Sequence, residues 1–549
     1  MKNNDLILIP ARSGSKTVSR QNLRLVDDKP LLYYVLNTAL QYTSNVFVST
    51  DSEEIKEIST MYGANVVLRP KSLTKDSTPL EDIIYHALSE LNKKNMFFNK
   101  CLILNPKFPL IKLSTIKKFF SNLNAKTQII SGYVDDANTN YGIIESKNNH
   151  LVKLINTESH IVVQQKTIAF VCNSFLKQKK FQTPVFGLKF TDYEPLSLDN
   201  YHHFGILEKI IKRRRILVRV DGSRKIGLGH VYNMLTILNH LRNDEILILM
   251  NSKYNLGSTR FKDHLFSVKY FSSESELFRI LKNFKPDIIF NDILDTSSDY
   301  VKKLKQLNLF VVNFEDLGSG RNYADLVFNP IYDDDKKHKN EFYGANYACV
   351  RDEFRIWKNK PISKTVQCVL ITFGGSDPTD KTYQILKLIR EINLKDIRFL
   401  IVLGLGYTHK RRLQILISQM LSEGFRISLI EKSDFLVKHM READFAITSN
   451  GRTVFEIASL KVPVVAISVN NREKNHKFVK NTNVGFQLDF HLKIEKHKLI
   501  NSITAMLDFT TRKSFVKNLQ KINLLNGADR VIQTIMSEYE KNKQSCSNP

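Results

Sequence analysis

The chain has 549 residues, of which 42% are hydrophobic and 25% charged, and its formal net charge is +26. A single hydrophobic core stops growing at about 250 to 300 residues, so we expect two or three domains. The composition excludes a disordered chain.

The five cysteines form no CxxC pair, which argues against a zinc site or a disulfide framework. No apolar run has the roughly 18 residues of a membrane helix, and the N-terminal apolar stretch is too short for a signal peptide, so we expect a cytoplasmic protein.

The excess positive charge is spread along the chain, mostly as lysine, and its one concentrated run is the sequence Lys-Arg-Arg-Arg at 212–215. The sequence has no aromatic RNA-binding motif and no zinc finger, so the charge does not indicate a nucleic-acid-binding protein. Phosphate-bearing substrates could use part of this charge, and a peripheral contact with a membrane surface stays open.

Short apolar runs alternate with amphipathic helices throughout, which is typical of βαβ units and parallel sheets. The first block has predicted strands at 6–10, 46–49 and 101–104, a helix at 79–92 with Thr78 and Glu81 as a capping box, and a last helix that ends near Ile211. The second begins with a strand at 216–220, and the third has strands at 366–372, 399–403, 445–448 and 464–468. We predict domains at 1–211, 212–360 and 361–549. The last two blocks have the rhythm of two Rossmann-like halves that face each other across a cleft.

A small-residue loop follows the first strand and is bracketed by two cations, Arg12 and Lys16. Such a loop can direct backbone N–H groups at phosphate oxygens while the cations stabilise a leaving pyrophosphate. The alternative interpretation is an ordinary turn with solvated charges. The segments that follow are Arg20-Gln21-Asn22-Leu23-Arg24, Asp28-Lys29-Pro30-Leu31-Leu32, Val48-Ser49-Thr50-Asp51-Ser52, Tyr62-Gly63-Ala64, Leu68-Arg69-Pro70 and Asp76-Ser77-Thr78.

In this order and spacing, the first 210 residues resemble the acylneuraminate cytidylyltransferase family. The resemblance implies a Rossmann-like nucleotidyltransferase domain that binds CTP and a nonulosonate, with attack of the sugar's anomeric hydroxyl on the α-phosphate and Mg²⁺ at the pyrophosphate. It assigns catalysis to Arg12 and Lys16, and a homodimer contact to 134–165. The nucleotide-binding residues that it implies are Ser13, Gly14, Ser15, Asn22, Arg69 and Thr78.

Two segments depart from that family. The sequence Leu104-Asn105-Pro106-Lys107-Phe108-Pro109-Leu110 stands where the family has Leu-Gln-Pro-Thr-Ser-Pro-Leu. Ser197-Leu198-Asp199 keeps only the second of two metal-binding aspartates. Asp199 alone could hold Mg²⁺ through water and substrate phosphates. The domain is therefore either a working transferase or a catalytically dead binding module.

The strand at 216–220 leads into a glycine-rich loop, which ends at His230 before a helix predicted at 231–241. A helix N-terminus disfavours the imidazolium, so we predict a neutral His230 that can accept a proton. A capping or packing histidine is the alternative. Further polar segments follow later strands, namely Asn291-Asp292, Phe314-Glu315-Asp316, Phe373-Gly374-Gly375-Ser376-Asp377, Thr448-Ser449-Asn450-Gly451-Arg452-Thr453-Val454-Phe455-Glu456 and Val469-Asn470-Asn471-Arg472-Glu473.

This set resembles the UDP-sugar hydrolase of pseudaminic acid synthesis, which is related to the GT-B glycosyltransferase that makes lipid II, over about 215–490. The resemblance implies loss of UDP from a 2,4-diacetamido-2,4,6-trideoxyhexose without a metal, with water activated by His230 and assisted by Asn471. Asn233 replaces an Arg of that family and Leu294 a Tyr, so a legionaminic-type sugar, or transfer to an acceptor instead of water, stays open. The predicted binding residues are Gly229, Gly375, Ser376, Asn450, Gly451, Thr453, Glu456, Arg472 and Glu473.

Overall fold

The computed structural model describes every residue except 1–3, 15–17, 76, 125–128, 134–143, 146–150, 155–166, 182–184, 191–192, 224–226, 333–338, 358, 376, 405, 432–435, 490–494 and 548–549. The chain divides into two units, Met1–Lys212 and Arg213–Pro549. None of the described helices is long and apolar enough to span a bilayer.

The first unit consists of strands and helices in alternation around one sheet. Its strands are β1 Asp5–Pro10, β2 Leu25–Val26, β3 Lys29–Pro30, β4 Val46–Thr50, β5 Asn65–Leu68, β6 Lys100–Ile103, β7 Ile129–Tyr133, β8 Ile144–Glu145, β9 Leu151–Leu154, β10 Ile168–Val171 and β11 Val185–Lys189. Its helices are α1 Leu31–Leu40, α2 Glu53–Met61, α3 Leu80–Lys93, α4 Leu113–Asn122, α5 Cys172–Gln178 and α6 Tyr201–Ile211.

The sheet of the first unit has the order β5-β4-β1-β6-β10-β7-β11-β9-β8, with β2 and β3 paired separately. Strands β5, β4, β1 and β6 are parallel, whereas β10 runs antiparallel to both of its neighbours. The sheet is therefore mixed, not wholly parallel as the sequence pattern predicted. The strand order reverses between β1 and β6, and ligands of such sheets bind beyond the carboxyl ends of the strands at this point.

The second unit begins with a seven-stranded parallel sheet in the order β14-β13-β12-β15-β16-β17-β18. Strand β12 is apolar on both faces, with Ile216, Leu217 and Val218 buried, because helices cover both sides of a parallel sheet. The strands are β12 Arg215–Val220, β13 Glu245–Asn251, β14 Ser267–Phe271, β15 Ile288–Asp292, β16 Phe310–Phe314, β17 Leu326–Asn329 and β18 Glu341–Tyr343. The helices are α7 Gly229–Leu238, α8 Ser258–Asp263, α9 Glu274–Phe284, α10 Ser298–Lys305 and α11 Glu353–Ile356.

A second parallel sheet follows in the order β21-β20-β19-β22-β23-β24, which is the strand order of a Rossmann fold. The strands are β19 Cys368–Thr372, β20 Arg398–Val402, β21 Arg426–Ile430, β22 Phe445–Ser449, β23 Val464–Ser468 and β24 Gly485–Asp489. The helices are α12 Lys381–Glu391, α13 Lys410–Ser422, α14 Leu436–Glu442, α15 Thr453–Ser459, α16 Phe478–Thr482, α17 Lys496–Leu507, α18 Phe509–Gln520 and α19 Gly527–Ser547. The second unit is thus a GT-B-like pair of halves.

Helix α19 returns to the first of these halves. Val531 and Ile535 on this helix are fully buried in the same core as Val218, Met234 and Phe290. A division of the chain at residue 361 therefore leaves the last helix in the wrong half, because its apolar face completes the core around β12 and α7.

The predicted capping box of helix α3 is wrong. The residue that precedes the helix is Pro79, and no side chain caps the first turn. Thr78 lies outside the helix, where its backbone N–H donates to the Lys75 carbonyl at 3.1 Å.

Candidate active sites

The first unit has a cavity of about 710 Å³ at the carboxyl ends of β1 and β6, within the usual range of about 300 to 1,000 Å³ for small-molecule sites. Several residues that the sequence predicts for the nucleotide or, at Asp199, for the metal ion line this cavity, namely Arg12, Gly14, Asn22, Arg69, Thr78 and Asp199. The structure therefore brings together positions that are up to almost two hundred residues apart in the chain. Ser15 and Lys16 lie outside the described residues, as does most of the predicted dimer segment at 134–165.

The loop after β1 is held by side chains of its own domain. Both the backbone N–H and the hydroxyl of Ser13 donate to the Asp51 carboxylate, each at 2.9 Å. Asn22 donates through its side-chain amide to the Arg12 carbonyl at 3.0 Å. Burial opposes the charge of Asp51, but the two Ser13 hydrogen bonds outweigh it and lower the pKa of this carboxyl. Ser13 and Asn22 therefore shape the loop, and the Ser13 N–H is directed at Asp51.

Arg69 is a buried cation at the wall of the cavity. The residue is 7% exposed. Its Nε and Nη2 groups have no hydrogen-bond partner among the described atoms. Burial lowers the pKa of Arg69, which the nearby Asp51 carboxylate opposes. Buried guanidinium groups are costly unless they are paired, so this geometry suits an anionic ligand in the cavity.

Lys107 forms an ion pair with Asp199, the carboxylate on which the predicted metal site depends. Its Nζ lies 3.2 Å from the Asp199 Oδ1 atom. Burial opposes the charge of Asp199, but hydrogen bonds from Ser197 and Lys107 lower the pKa of its carboxyl. Among the described residues, no group of three or more His, Cys, Asp or Glu side chains is placed to hold a metal ion. One carboxylate already paired with an ammonium does not fit a protein-bound Mg²⁺.

In the second unit, His230 forms a buried pair with Asp292. His230 is the second residue of α7 and is 5% exposed, and Asp292 ends strand β15. The His230 Nδ1 atom lies 2.5 Å from the Asp292 Oδ1 atom, and the Asn233 amide donates to the Oδ2 atom at 2.7 Å. Asn233 therefore orients the carboxylate. In this arrangement Nδ1 carries the proton and Nε2 can accept one.

The pKa of His230 is raised, whereas its position at the N-terminus of a helix predicts a lowered pKa. Burial lowers the pKa of His230, but the Asp292 carboxylate outweighs it, so the net shift is upward. The pKa of Asp292 is lowered in turn, because the charge of His230 outweighs burial. A histidine with an adjacent carboxylate and a pKa above its ordinary value is suited to act as a general base near neutral pH.

Arg452 joins the two halves of the second unit at this pair. It precedes helix α15 in the second half, and its Nη2 lies 3.0 Å from the Glu315 Oε1 atom and 3.8 Å from the Asp292 Oδ2 atom in the first half. Burial opposes its charge, but the two carboxylates raise the pKa of Arg452. The guanidinium lies at ion-pair distance, although its Nε and Nη2 groups lack hydrogen-bond geometry to any described atom.

A cavity between the halves is lined by several predicted binding residues. They are Gly229, Gly375, Thr453 and Glu456, together with Asn233 and Arg452. A side chain at Gly375 would place its Cβ only 3.2 Å from the Leu228 backbone nitrogen, so the glycine allows the loops of the two halves to meet. Glu456 accepts a hydrogen bond from Arg351 Nε at 2.9 Å.

The remaining predicted residues lie in the loops after β22 and β23. Asn450 donates its amide to the carbonyls of Glu473 and His476, both at 2.9 Å, and so holds one loop against the other. Burial raises the pKa of Glu473 to about 7, and Gly451 leaves room for this side chain, whose Oε1 lies 3.4 Å from the position of a Cβ there. Ser376 lies outside the described residues.

Arg472 reaches the first half and Asn471 precedes it in an exposed loop. The Arg472 Nη1 atom lies 3.1 Å from the Asp295 Oδ2 atom, and the same guanidinium also donates to the Tyr332 hydroxyl and the Glu315 carbonyl. Arg472, which was predicted to bind the ligand, thus also connects the two halves across the cleft.

Four charged residues of the two sites had no role assigned from the sequence, namely Asp51, Asp292, Glu315 and Arg452. Each follows a strand or opens a helix within a quoted motif, so the signal was the position at the carboxyl end of a parallel strand. The pairings themselves join residues that are distant in sequence and could not be derived from spacing.

These features define the class of protein: a mixed α/β domain with a cavity beyond the carboxyl ends of its strands, joined to a GT-B-like α/β unit. Residues 6–197 match the model of the cytidylyltransferase family.

Three curated relatives extend the comparison. A Helicobacter pylori protein named pseudaminic acid cytidylyltransferase and UDP-2,4-diacetamido-2,4,6-trideoxy-beta-L-altropyranose hydrolase is 24% identical, over 71% of this chain and 76% of its own length. An uncharacterized protein of Methanocaldococcus jannaschii is 30% identical, over 47% of this chain and 57% of its own. The CMP-N,N'-diacetyllegionaminic acid synthase of Legionella pneumophila is 36% identical, over 20% of this chain and 50% of its own. The matches thus span 57% of the M. jannaschii protein and 50% of the L. pneumophila protein.

Proposed function

We propose that the chain is a bifunctional enzyme of nonulosonate biosynthesis. The first unit activates a nonulosonate with CTP to its CMP-sugar, and the second hydrolyses a UDP-2,4-diacetamido-2,4,6-trideoxyhexose. The observation that carries the proposal is the buried His230–Asp292 pair, in a chain whose residues 6–197 match the cytidylyltransferase family model. The H. pylori relative, whose name joins the same two activities, supports the combination.

In the first unit, the sugar's anomeric oxygen would form a bond to the α-phosphorus of CTP while the bond between that phosphorus and the α–β bridging oxygen breaks. Pyrophosphate leaves with the electron pair, and the hydroxyl proton passes to solvent. The buried Arg69 and the loop cation Arg12 line the cavity where this charge develops. Fixed cations stabilise such a transition state because little reorganisation is needed. Any Mg²⁺ enters as the counter-ion of the nucleotide, since Asp199 is already paired with Lys107.

In the second unit, a water molecule would attack the anomeric carbon as the bond to the diphosphate oxygen breaks. UDP leaves with the electron pair, and the water proton passes to Nε2 of His230. Asp292 fixes the tautomer and stabilises the imidazolium that forms. Gly375, Thr453 and Glu456 line the adjoining cavity, which we propose holds the UDP moiety. This half needs no cofactor in the proposal, and Asn471 is proposed to assist from the loop after β23.

The proposal includes a cytoplasmic location and a homodimer formed through the first unit. The dimer rests on the family resemblance alone, and light scattering of the purified chain tests it: a mass of one chain would contradict the dimer.

Product analysis by mass spectrometry tests the two activities. Incubation with a UDP-diacetamido-trideoxyhexose should give UDP and free hexose, whereas a conjugated sugar would identify the second unit as a glycosyltransferase. Incubation with CTP and nonulosonates should release pyrophosphate. CTP binding without pyrophosphate release would identify the first unit as a binding module.

A further inference from the structure

The cavity of the first unit has a strong excess of positive charge. Its described lining contains one carboxylate, that of Asp199, and four cationic side chains, those of Arg12, Arg69, Lys75 and Lys107. Lys107 is the cation that pairs with Asp199, with 3.2 Å between Nζ and Oδ1, and the two side chains remain 33% and 56% exposed. The ammonium is therefore accessible from the cavity and already held in place.

The backbone on both sides of this pair is fixed by hydrogen bonds. The Lys107 N–H donates to the Asn105 side-chain oxygen at 3.0 Å, and the Lys107 carbonyl accepts from the Leu198 N–H at 3.0 Å. This second bond ties the loop after β6 to the segment that carries Asp199. The backbone that carries Lys107 is thus fixed, and the ion pair with Asp199 directs its ammonium.

A magnesium ion and this ammonium compete for the same carboxylate oxygen. Mg²⁺ needs oxygen ligands at about 2.0–2.1 Å in a strict octahedral arrangement, and a cation already paired with Asp199 repels it. A lysine ammonium binds phosphate as a point charge. The buried guanidinium of Arg69 lines the same cavity, and its Nε and Nη2 groups have no hydrogen-bond partner among the described atoms, which is a second feature that favours an anion.

We infer that the Lys107 ammonium, positioned by Asp199, binds the triphosphate of CTP in place of a protein-bound metal ion, so that CTP binds this unit without Mg²⁺. The inference rests on the proposal that the first unit binds CTP. Lys107 is then a nucleotide-binding residue, and Asp199 is a positioning residue.

Calorimetric titration of the full chain with CTP in EDTA and in Mg²⁺ tests the inference. The wild type should bind CTP in both buffers with affinities within about 3-fold. Lys107→Thr should lose about 10-fold or more in EDTA because a charge-assisted contact is removed, and Lys107→Arg should retain most of the affinity. Lys117→Thr, an exposed lysine on α4, is the matched control and should bind as the wild type does.

Manganese provides a readout that is independent of activity. In electron paramagnetic resonance without nucleotide, the wild type should bind Mn²⁺ weakly. The double variant Lys107→Thr/Ser197→Asp frees Asp199 and adds a second carboxylate, so its affinity for Mn²⁺ should exceed that of the wild type by about 10-fold or more. Its CTP binding should become dependent on Mg²⁺.

The outcomes separate this inference from the proposed function. CTP binding by the wild type that requires Mg²⁺, or Lys107→Thr affinity equal to that of Lys117→Thr, overturns the inference and leaves the proposed activity intact. Absence of CTP binding by the folded wild type in both buffers overturns both.

Discussion

His230 and Asp292 are 62 residues apart in the chain, and the hydrolysis proposed for the second unit depends on their contact. The carboxylate raises the pKa of His230 against the effect of burial. If neutral His230 is the base, UDP release must rise with pH as the imidazolium loses its proton, with a midpoint above the ordinary value of about 6.5.

Asp292→Asn should therefore change both the rate and its pH dependence. Without the carboxylate, burial lowers the pKa of His230, so the rising limb of the profile should move to lower pH. The plateau should fall by about 100-fold or more because the tautomer is no longer fixed. Steady-state UDP release between pH 5 and 9 measures both effects, and Asp299→Asn on the exposed side of α10 is the control. An unchanged limb would show that His230 is not the group that titrates.

Arg69 offers a test in which binding and stability change in opposite directions. Arg69→Met removes a buried cation without hydrogen-bond partners at Nε and Nη2, so CTP affinity should fall by about 10-fold or more. The unliganded protein should become more stable, by roughly 1 kcal/mol or a few degrees in Tm. Calorimetric titration and thermal unfolding measure the two changes. A lower Tm in the variant would mean that Arg69 is paired within the fold.

At the scale of elements, the eight strands whose bounds were predicted agree with the structure to within one or two residues, because buried parallel strands are continuous apolar runs. The other strands were not predicted individually. The strand at Val464–Ser468 has the predicted bounds. Helix beginnings were less reliable: α7 begins at Gly229 and not Val231, and α3 has no capping box. Caps depend on local backbone geometry that the pattern of apolar residues does not determine.

Tertiary partners were also beyond sequence reasoning. The motifs at strand ends predicted which loops form each site, since parallel strands present their carboxyl ends at one edge. They did not predict that Lys107 pairs with Asp199 or that Arg452 contacts Glu315. The packing of α19 against the core around β12 and α7 was not predicted either.

The return of α19 leads to a prediction about stability. Ile535 is fully buried in the core around β12 and α7, so Ile535→Ala should destabilise the second unit by about 2–5 kcal/mol. Gln533→Ala on the exposed face of the same helix should have little effect. Chemical denaturation followed by circular dichroism compares the two variants, and equal midpoints would show that α19 does not contribute to that core.

At the scale of the whole molecule, each proposed site is built from residues of one unit alone. The nucleotide cavity lies within Met1–Lys212 and the His230–Asp292 pair within Arg213–Pro549. The two activities should therefore be separable by single substitutions in the full chain.

His230→Ala should lower the rate of UDP release by about 100-fold or more and leave CTP affinity unchanged. Arg69→Met should lower CTP affinity by about 10-fold or more and leave UDP release unchanged. Parallel assays of UDP release and CTP binding on both variants test this independence. Loss of both properties in either folded variant would contradict separate sites.

The central claim is that one chain carries two nucleotide-sugar activities, and mass spectrometry of the products of the full-length protein tests it most directly. Separate incubations with CTP plus several nonulosonates and with several UDP-diacetamido sugars should yield a CMP-nonulosonate in the first case and free hexose with UDP in the second. A folded protein that leaves every sugar in both sets unchanged would contradict the account.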